Sequence, residues 1–214
     1  MLVILGMFAF MPAVAFAQTL YVEGGNVFFK PDSSRRAVQL TTSGKDEQAA
    51  LSPDGQMAAF VRRTPGKTVG TGSGTAEATE LWGIRVDGTG AKRIAAGRSA
   101  AKMESILADF RAPQFSGDGK RIYFLSAAWA TSAAVHVIDV TTGAEHFVLP
   151  GNSLEILRQG EYAGDLLVSQ HRYFLAGGSY DWIWLFRPDG REVGPVIDAN
   201  DSDAEERLED FRRR

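Results

Sequence analysis

The chain has no cysteine among its 214 residues. That excludes disulfides, thiolate metal sites, a cysteine nucleophile and an acylated N-terminal cysteine, and it leaves the compartment open. Histidine is scarce, with only His136, His146 and His171, so an imidazole metal centre has few ligands to draw on. Basic charge is not in excess: 23 Lys and Arg stand against 26 Asp and Glu, for a net charge of -3. Binding a phosphate backbone needs clustered Lys and Arg, so no nucleic-acid partner is expected. There is no Gly-x-Ser-x-Gly elbow and no α/β segment that would hold a hydrolase triad.

Charge is also missing from Leu2 to Ala17, which is almost wholly apolar. Pro12 interrupts this run, and Ala15-Phe16-Ala17 forms a small-x-small cleavage site before the polar Gln18. These features read as a secretory signal over residues 1–17. The run is short of the roughly 20 apolar residues that span a bilayer. No Lys or Arg precedes it, so an uncleaved anchor is the competing reading. The expected mature chain starts at Gln18, is periplasmic and has no stable membrane insertion.

The remainder repeats itself. Leu51-Ser52-Pro53-Asp54-Gly55 followed by Met57–Phe60 matches Phe115-Ser116-Gly117-Asp118-Gly119 followed by Arg121–Phe124. Each reads as a strand, a tight turn and a second strand. Ser opens the turn, Pro53 presets φ, and Gly accepts the positive φ at the exit. Alternating strands then lead into a second family of turns at Asp32, Gly88, Gly143 and Gly190, spaced 56, 55 and 47 residues apart. An interval of that size signals repeated supersecondary units, and about four strands per unit is the size of a propeller blade.

The expected fold is therefore all-β: a small β-propeller of about four blades over residues 18–200, open or incomplete, with a short C-terminal helix over residues 201–214. The reading gives 15 strands. The first unit lacks its first strand. In the fourth, strands Asp165–Ser169 and Arg172–Leu175 flank a turn at Ser169-Gln170-His171-Arg172. Either the segment after Val193 supplies the missing strand, or the arc stays open and its unpaired edge invites self-association.

The run Leu40-Thr41, Leu51-Ser52-Pro53-Asp54-Gly55, Ala59-Phe60, Leu81-Trp82-Gly83-Ile84, with its second copy at Pro113–Phe124, resembles the TolB-type β-propeller repeat. The resemblance covers residues 40–150 well and the rest loosely. It implies a propeller of the kind found in the periplasmic component of the Tol envelope system and in the non-catalytic domain of prolyl oligopeptidases. This chain has too few repeats for a six-bladed ring, no separate α/β domain, and no Ser-Pro-Asp-Gly turn in its fourth unit.

Candidate chemistry is sparse. Asp54 and Asp118 recur with the repeat, which marks them as turn formers rather than metal ligands or catalytic carboxylates. A metal site from the three histidines would need His136 and His171 in equivalent positions, whereas His136 reads as strand and His171 as turn. Gly66-Lys67-Thr68 through Gly74 has its glycines after the Lys-Thr pair and leads into a strand, so it reads as a long mobile hairpin loop rather than a phosphate loop. Tyr180, Trp182, Trp184 and Phe186 alternate on one strand face and read as a surface buried between blades. Trp129, in the loop 127–134, is the better candidate for an exposed binding aromatic. In the tail, Ser202 is the expected helix cap, and Ala204, Leu208 and Phe211 share one face. No catalytic residue, metal or cofactor is expected. The leading function is an exported, non-enzymatic scaffold that binds another envelope protein. The alternatives are a carbohydrate or cell-wall-fragment binding module and a propeller lyase or hydrolase.

Overall fold

A computed structural model describes residues 18–32 and 35–214. The expected signal, residues 1–17, lies outside them. Four antiparallel sheets follow one another along the chain. Blade 1 holds β1 (Thr19–Glu23), β2 (Asn26–Lys30) and β3 (Val38–Gln39). Blade 2 holds β4 (Asp46–Leu51), β5 (Met57–Arg62), β8 (Glu80–Arg85) and β9 (Lys92–Ala96), with a separate hairpin of β6 (Thr68–Thr71) and β7 (Gly74–Glu77) between its second and third strands. Blade 3 holds β10 (Arg111–Phe115), β11 (Arg121–Ala127), β12 (Ala133–Asp139) and β13 (Glu145–Pro150). Blade 4 holds β14 (Glu155–Ile156), β15 (Leu166–Tyr173), β16 (Ser179–Phe186) and β17 (Glu192–Asp198), followed by helix α1 (Ala204–Arg212).

Strands alternate side chains between two faces, and each sheet here buries its faces against the next sheet. Val27 and Phe29 of blade 1 meet Ala58, Phe60 and Ile84 of blade 2. Ala59, Val61 and Leu81, on the other face of blade 2, meet Ile122, Phe124 and Ile138. Tyr123, Leu125, Val135 and Val137, on the far face of blade 3, meet Leu166, Val168, Trp184 and Phe186. Sheets stacked face to face in chain order are the arrangement of propeller blades.

The paired turns form as their chemistry dictates. The Ser52 hydroxyl donates to Asp54 at 2.5 Å, the Asp54 carboxylate accepts the Gln56 N–H at 3.0 Å, and Gly55 has φ 69°. Ser116 and Asp118 repeat this at 2.6 Å, with the Lys120 N–H at 3.0 Å and Gly119 at φ 70°. These hydrogen bonds from serine hold both carboxyls below the usual aspartate range. Asp54 and Asp118 are turn formers. The repeat extends to a feature with no obvious sequence signal: Gln48 and Ala112, each three residues before the end of its strand, have φ of 50° and 49° at matching bulges in β4 and β10. The Gln48 side chain accepts the Ala112 N–H at 2.7 Å and so ties the two bulges together.

Blade 4 departs from the sequence reading. Residues 166–173 form one continuous strand, so Ser169-Gln170-His171-Arg172 is not a turn and His171 lies inside β15. The turn read there had no Gly or Pro to break the strand. The blade's first strand is instead the two-residue β14, placed by Gln114. Its side chain donates to the Leu154 carbonyl at 2.6 Å and accepts the Ile156 N–H at 3.0 Å. Counting β6, β7 and β14, the described residues hold 17 strands.

Closure also resolves against one expectation. The segment after Val193 does not complete blade 1: β17 pairs with β16, and α1 packs on the outer face of blade 4. Leu208, Ala204 and Phe211 cover Leu167, Leu185 and Ile197 there. Arg212 anchors the helix end on Glu155 at 2.8 Å. The helix begins after Asp203 without a side-chain cap, so Ser202 does not serve as one. Among the described residues no helix is long and apolar enough to cross a membrane.

Candidate binding face

The β1–β2 turn of blade 1 and the connections between the second and third strands of blades 2, 3 and 4 share one end of the molecule. They touch in sequence. Gly25 of blade 1 accepts the Asp46 N–H at 2.8 Å, the Gly72 N–H of the β6–β7 hairpin donates to Ala128 at 2.6 Å, and Thr131 lies 3.5 Å from the Tyr173 hydroxyl. The segment 66–74 is a hairpin, as its sequence suggests. Its tip is seated on the Trp129 loop, and a Cβ at Gly72 would press on Trp129 Cα at 3.0 Å.

This contact changes the reading of Trp129. The ring is half-buried, edge-on to Phe147 at 6.0 Å, with the hairpin against its backbone. The larger aromatic surface is one loop further on. Tyr173, Phe174 and Leu175 are 65%, 57% and 110% exposed at the β15–β16 hairpin. Phe174, Tyr180, Trp182 and Trp184 line an apolar groove of ≈ 240 Å³ beside it. The aromatic stripe of β16 therefore divides. Trp184 and Phe186 are buried between blades 3 and 4, whereas Tyr180 and Trp182 are half-buried at the open end.

Polar groups adjoin Trp184, at one side of the groove. Trp184 Nε1 is buried and makes no hydrogen bond. The Arg172 guanidinium lies 3.5 Å from the centre of the Trp184 ring, a cation–π contact, and is held by Gln170 and by Glu192 at 2.7 Å. His171 meets Asp181 at 2.9 Å on the opposite face of the sheet from the aromatic stripe. Sequence reasoning had the aromatic stripe but not Phe174 or Arg172. The false turn had placed Arg172 at the start of a strand that does not exist.

The histidines do not converge. His136 is fully buried on β12, stacked near Phe124, with Nδ1 at 2.5 Å from Glu145, whose other oxygen meets Arg98 at 2.6 Å. Burial works to raise the Glu145 pKa, and the hydrogen bonds from His136 and Arg98 override it and hold it below the ordinary value. His146 is exposed on β13, and His171 is in blade 4. Among the described residues no three His, Asp or Glu gather as a metal site would require.

No family model matches the chain, and no curated protein matches it. Solved structures do. The β-propeller domain of the Trilobed protease from Pyrococcus furiosus, described as having an open velcro topology, aligns at TM-score 0.51 and 13% identity over 81% of this chain and 49% of its own. The tricorn protease aligns at TM-score 0.55 and 13% identity over 86% of this chain and 16% of its own. TolB from Acinetobacter baumannii aligns at TM-score 0.37 and 14% identity over 82% of this chain and 49% of its own. The chain thus spans less than half the length of each. At such identities the likeness concerns the fold: this is a chain of β-propeller blades.

Proposed function

We infer that the chain is a non-enzymatic propeller module of the bacterial cell envelope that binds another protein through the aromatic groove at the blade 3–blade 4 loop end. The observation that carries this is the groove itself, where exposed Phe174 and half-buried Tyr180 and Trp182 line an apolar depression. A partner segment that seats an apolar side chain on these rings covers them. Exposed aromatics next to Arg are the usual composition of a binding hot spot. The apolar leader at residues 1–17 supports export to the periplasm, and TolB-like blades fit that compartment.

The same rings favour a second reading. Tyr180 and Trp182 are also platforms for a sugar, with Arg172 as the polar partner, so a carbohydrate or cell-wall fragment is the competing ligand. Pull-down from envelope extract and a glycan array, each run with wild type and Trp182→Ala, separate the two. A protein captured by wild type and lost at least about 30-fold in affinity on truncation supports the protein-binding reading. Glycan binding with the same loss, and no protein captured, replaces it by the carbohydrate one. Binding that is indifferent to Trp182 discards the groove.

A further inference from the structure

We propose that the edge of β1 that no described strand pairs is a second interaction site, separate from the aromatic groove, which accepts an extended strand of a partner polypeptide in the place of a first strand of blade 1. The other three blades each begin with a strand antiparallel to their second, namely β4, β10 and β14. Blade 1 begins with β1, which runs opposite to β4. Its start places the Gln18 side chain against Gly55, in the turn after β4, and its end leads to Gly25, bonded to Asp46 at the start of β4. By direction, β1 is a second strand, and the place in front of it has no strand among the described residues.

Its backbone is set to pair. Gly24 and Gly25 have φ of 56° and 72° in a two-residue hairpin, which makes Glu23 and Asn26 the hydrogen-bonded closing pair. Bonded pairs recur at every second residue, so Val22 and Val27 are a non-bonded pair. The Val27 backbone confirms this phase, because its carbonyl accepts Leu40 N–H at 2.8 Å on the β3 side and its N–H goes to Thr41 at 2.9 Å. The N–H and C=O of Leu20 and Val22 therefore point outward along the free edge. The side chains agree. Leu20 and Val22 share a face with Val27 and Phe29, yet they stay half-buried where the latter are at 0% and 3% exposure. A further strand would cover them.

β1 also lacks what the other outermost strands of the four blades have. Register shifts interrupt the pairing of β4, β9, β10, β13 and β17 with their neighbours, and β10, β13 and β17 carry proline. Edges of β3 and β14 are two residues long. β1 has five residues in unbroken register with no proline, lysine or arginine, and Glu23 at its end is its one charge, so it is weakly defended against strand addition. The site fits a single strand rather than a folded second copy, which would bring a whole sheet into the arc bounded by β4, β10 and β14. An antiparallel strand starts beside Glu23, which is exposed and forms no ion pair among the described residues. The fitting partner segment is thus extended, basic at its start, and small or apolar at alternate positions, like Ala49 and Leu51 of β4 on the same cluster.

The test uses the full chain and a synthetic peptide, Lys-Lys-Gln-Ala-Ala-Leu-Ser, which is β4 and the following Ser52 with lysine at the two acidic positions. Hydrogen exchange is read at single amides. Saturable binding that slows Leu20 and Val22 by at least about tenfold, with Tyr21 unaffected, is the expected result. A peptide N-methylated at its edge-facing amides should lose it, as should Val22→Pro, which removes a donor not used by β2. Four results overturn the proposal: no binding at millimolar peptide, binding that leaves the two amides unprotected, protection in the free chain that disappears when residues 1–17 are removed, and protection that rises with protein concentration alone. The aromatic groove plays no part in these readouts, so Trp182→Ala should leave them unchanged.

Discussion

Blade 3 and blade 1 are built from the same repeat and end in opposite states. Blade 3 lies between two neighbours, and β12 is buried at every position from Ala133 to Ile138, on both faces. Among the described residues blade 1 has one neighbour, and β1 alternates exposed and half-buried residues along its length. Burial on two faces demands a near-continuous apolar run, and Ala-Ala-Val-His-Val-Ile meets it except at one position. Burial on one face demands only alternation, which Thr-Leu-Tyr-Val-Glu provides. The repeat sets the strands. The number of neighbours sets how much each strand contributes to stability.

The largest effect should come from the middle of blade 3. Phe124 is fully buried, packed on Phe110 and His136 between blades 2 and 3. Phe124→Ala should cost about 3–5 kcal/mol, read as a lower urea midpoint at unchanged slope. A smaller loss would mean that the interface between blades can collapse around the cavity.

The one polar position in that run gives the next effect. Breaking the His136–Glu145–Arg98 chain with Glu145→Ala should cost about 2 kcal/mol, because the buried His136 ring then keeps no hydrogen bond among the described residues. A pH dependence accompanies it. The folded Glu145 pKa lies below its ordinary 4.5, so its contribution is present above about pH 4.5 and is lost as pH falls through the folded value. Urea titrations across pH 3–6 should show Glu145→Gln less stable than wild type at pH 6, with the gap narrowing toward pH 3. A constant gap would place the coupling elsewhere.

Turns shared by the blades come third. Asp118→Ala removes the acceptor for Ser116 and Lys120 and should cost about 1 kcal/mol by the same measurement. Blade 1 should give the smallest change: Tyr21→Thr, at a ring 36% exposed and stacked on Phe28 at 5.3 Å, should shift stability by no more than about 0.5 kcal/mol. A loss near that of Phe124→Ala would show that the outer face of blade 1 is covered in solution.

Local chemistry was legible in the residues. Ser-Pro-Asp-Gly and Ser-Gly-Asp-Gly specify turns through hydrogen bonds within five residues. Alternation in Glu80–Val86 and Tyr180–Phe186 specifies strands, and spacing specifies four units. These signals depend on covalent neighbours, so one sequence carries them whole. Residues 165–175 misled because β15 is an interior strand whose polar Ser-Gln-His-Arg end is satisfied by partners far away: Gln170 by Pro150, His171 by Asp181, Arg172 by Glu192. Gln114 placing β14, the hairpin seated on Trp129, and the groove that unites Phe174 with Trp182 were likewise invisible. Each joins residues whose contact exists only once the sheets have stacked. Sequence thus determined the blades, the turns and the aromatic stripe. Tertiary structure decided which aromatics stay open, which face the C-terminal helix covers, and which edge is left without a strand, because burial is a property of neighbours that the chain meets only in the fold.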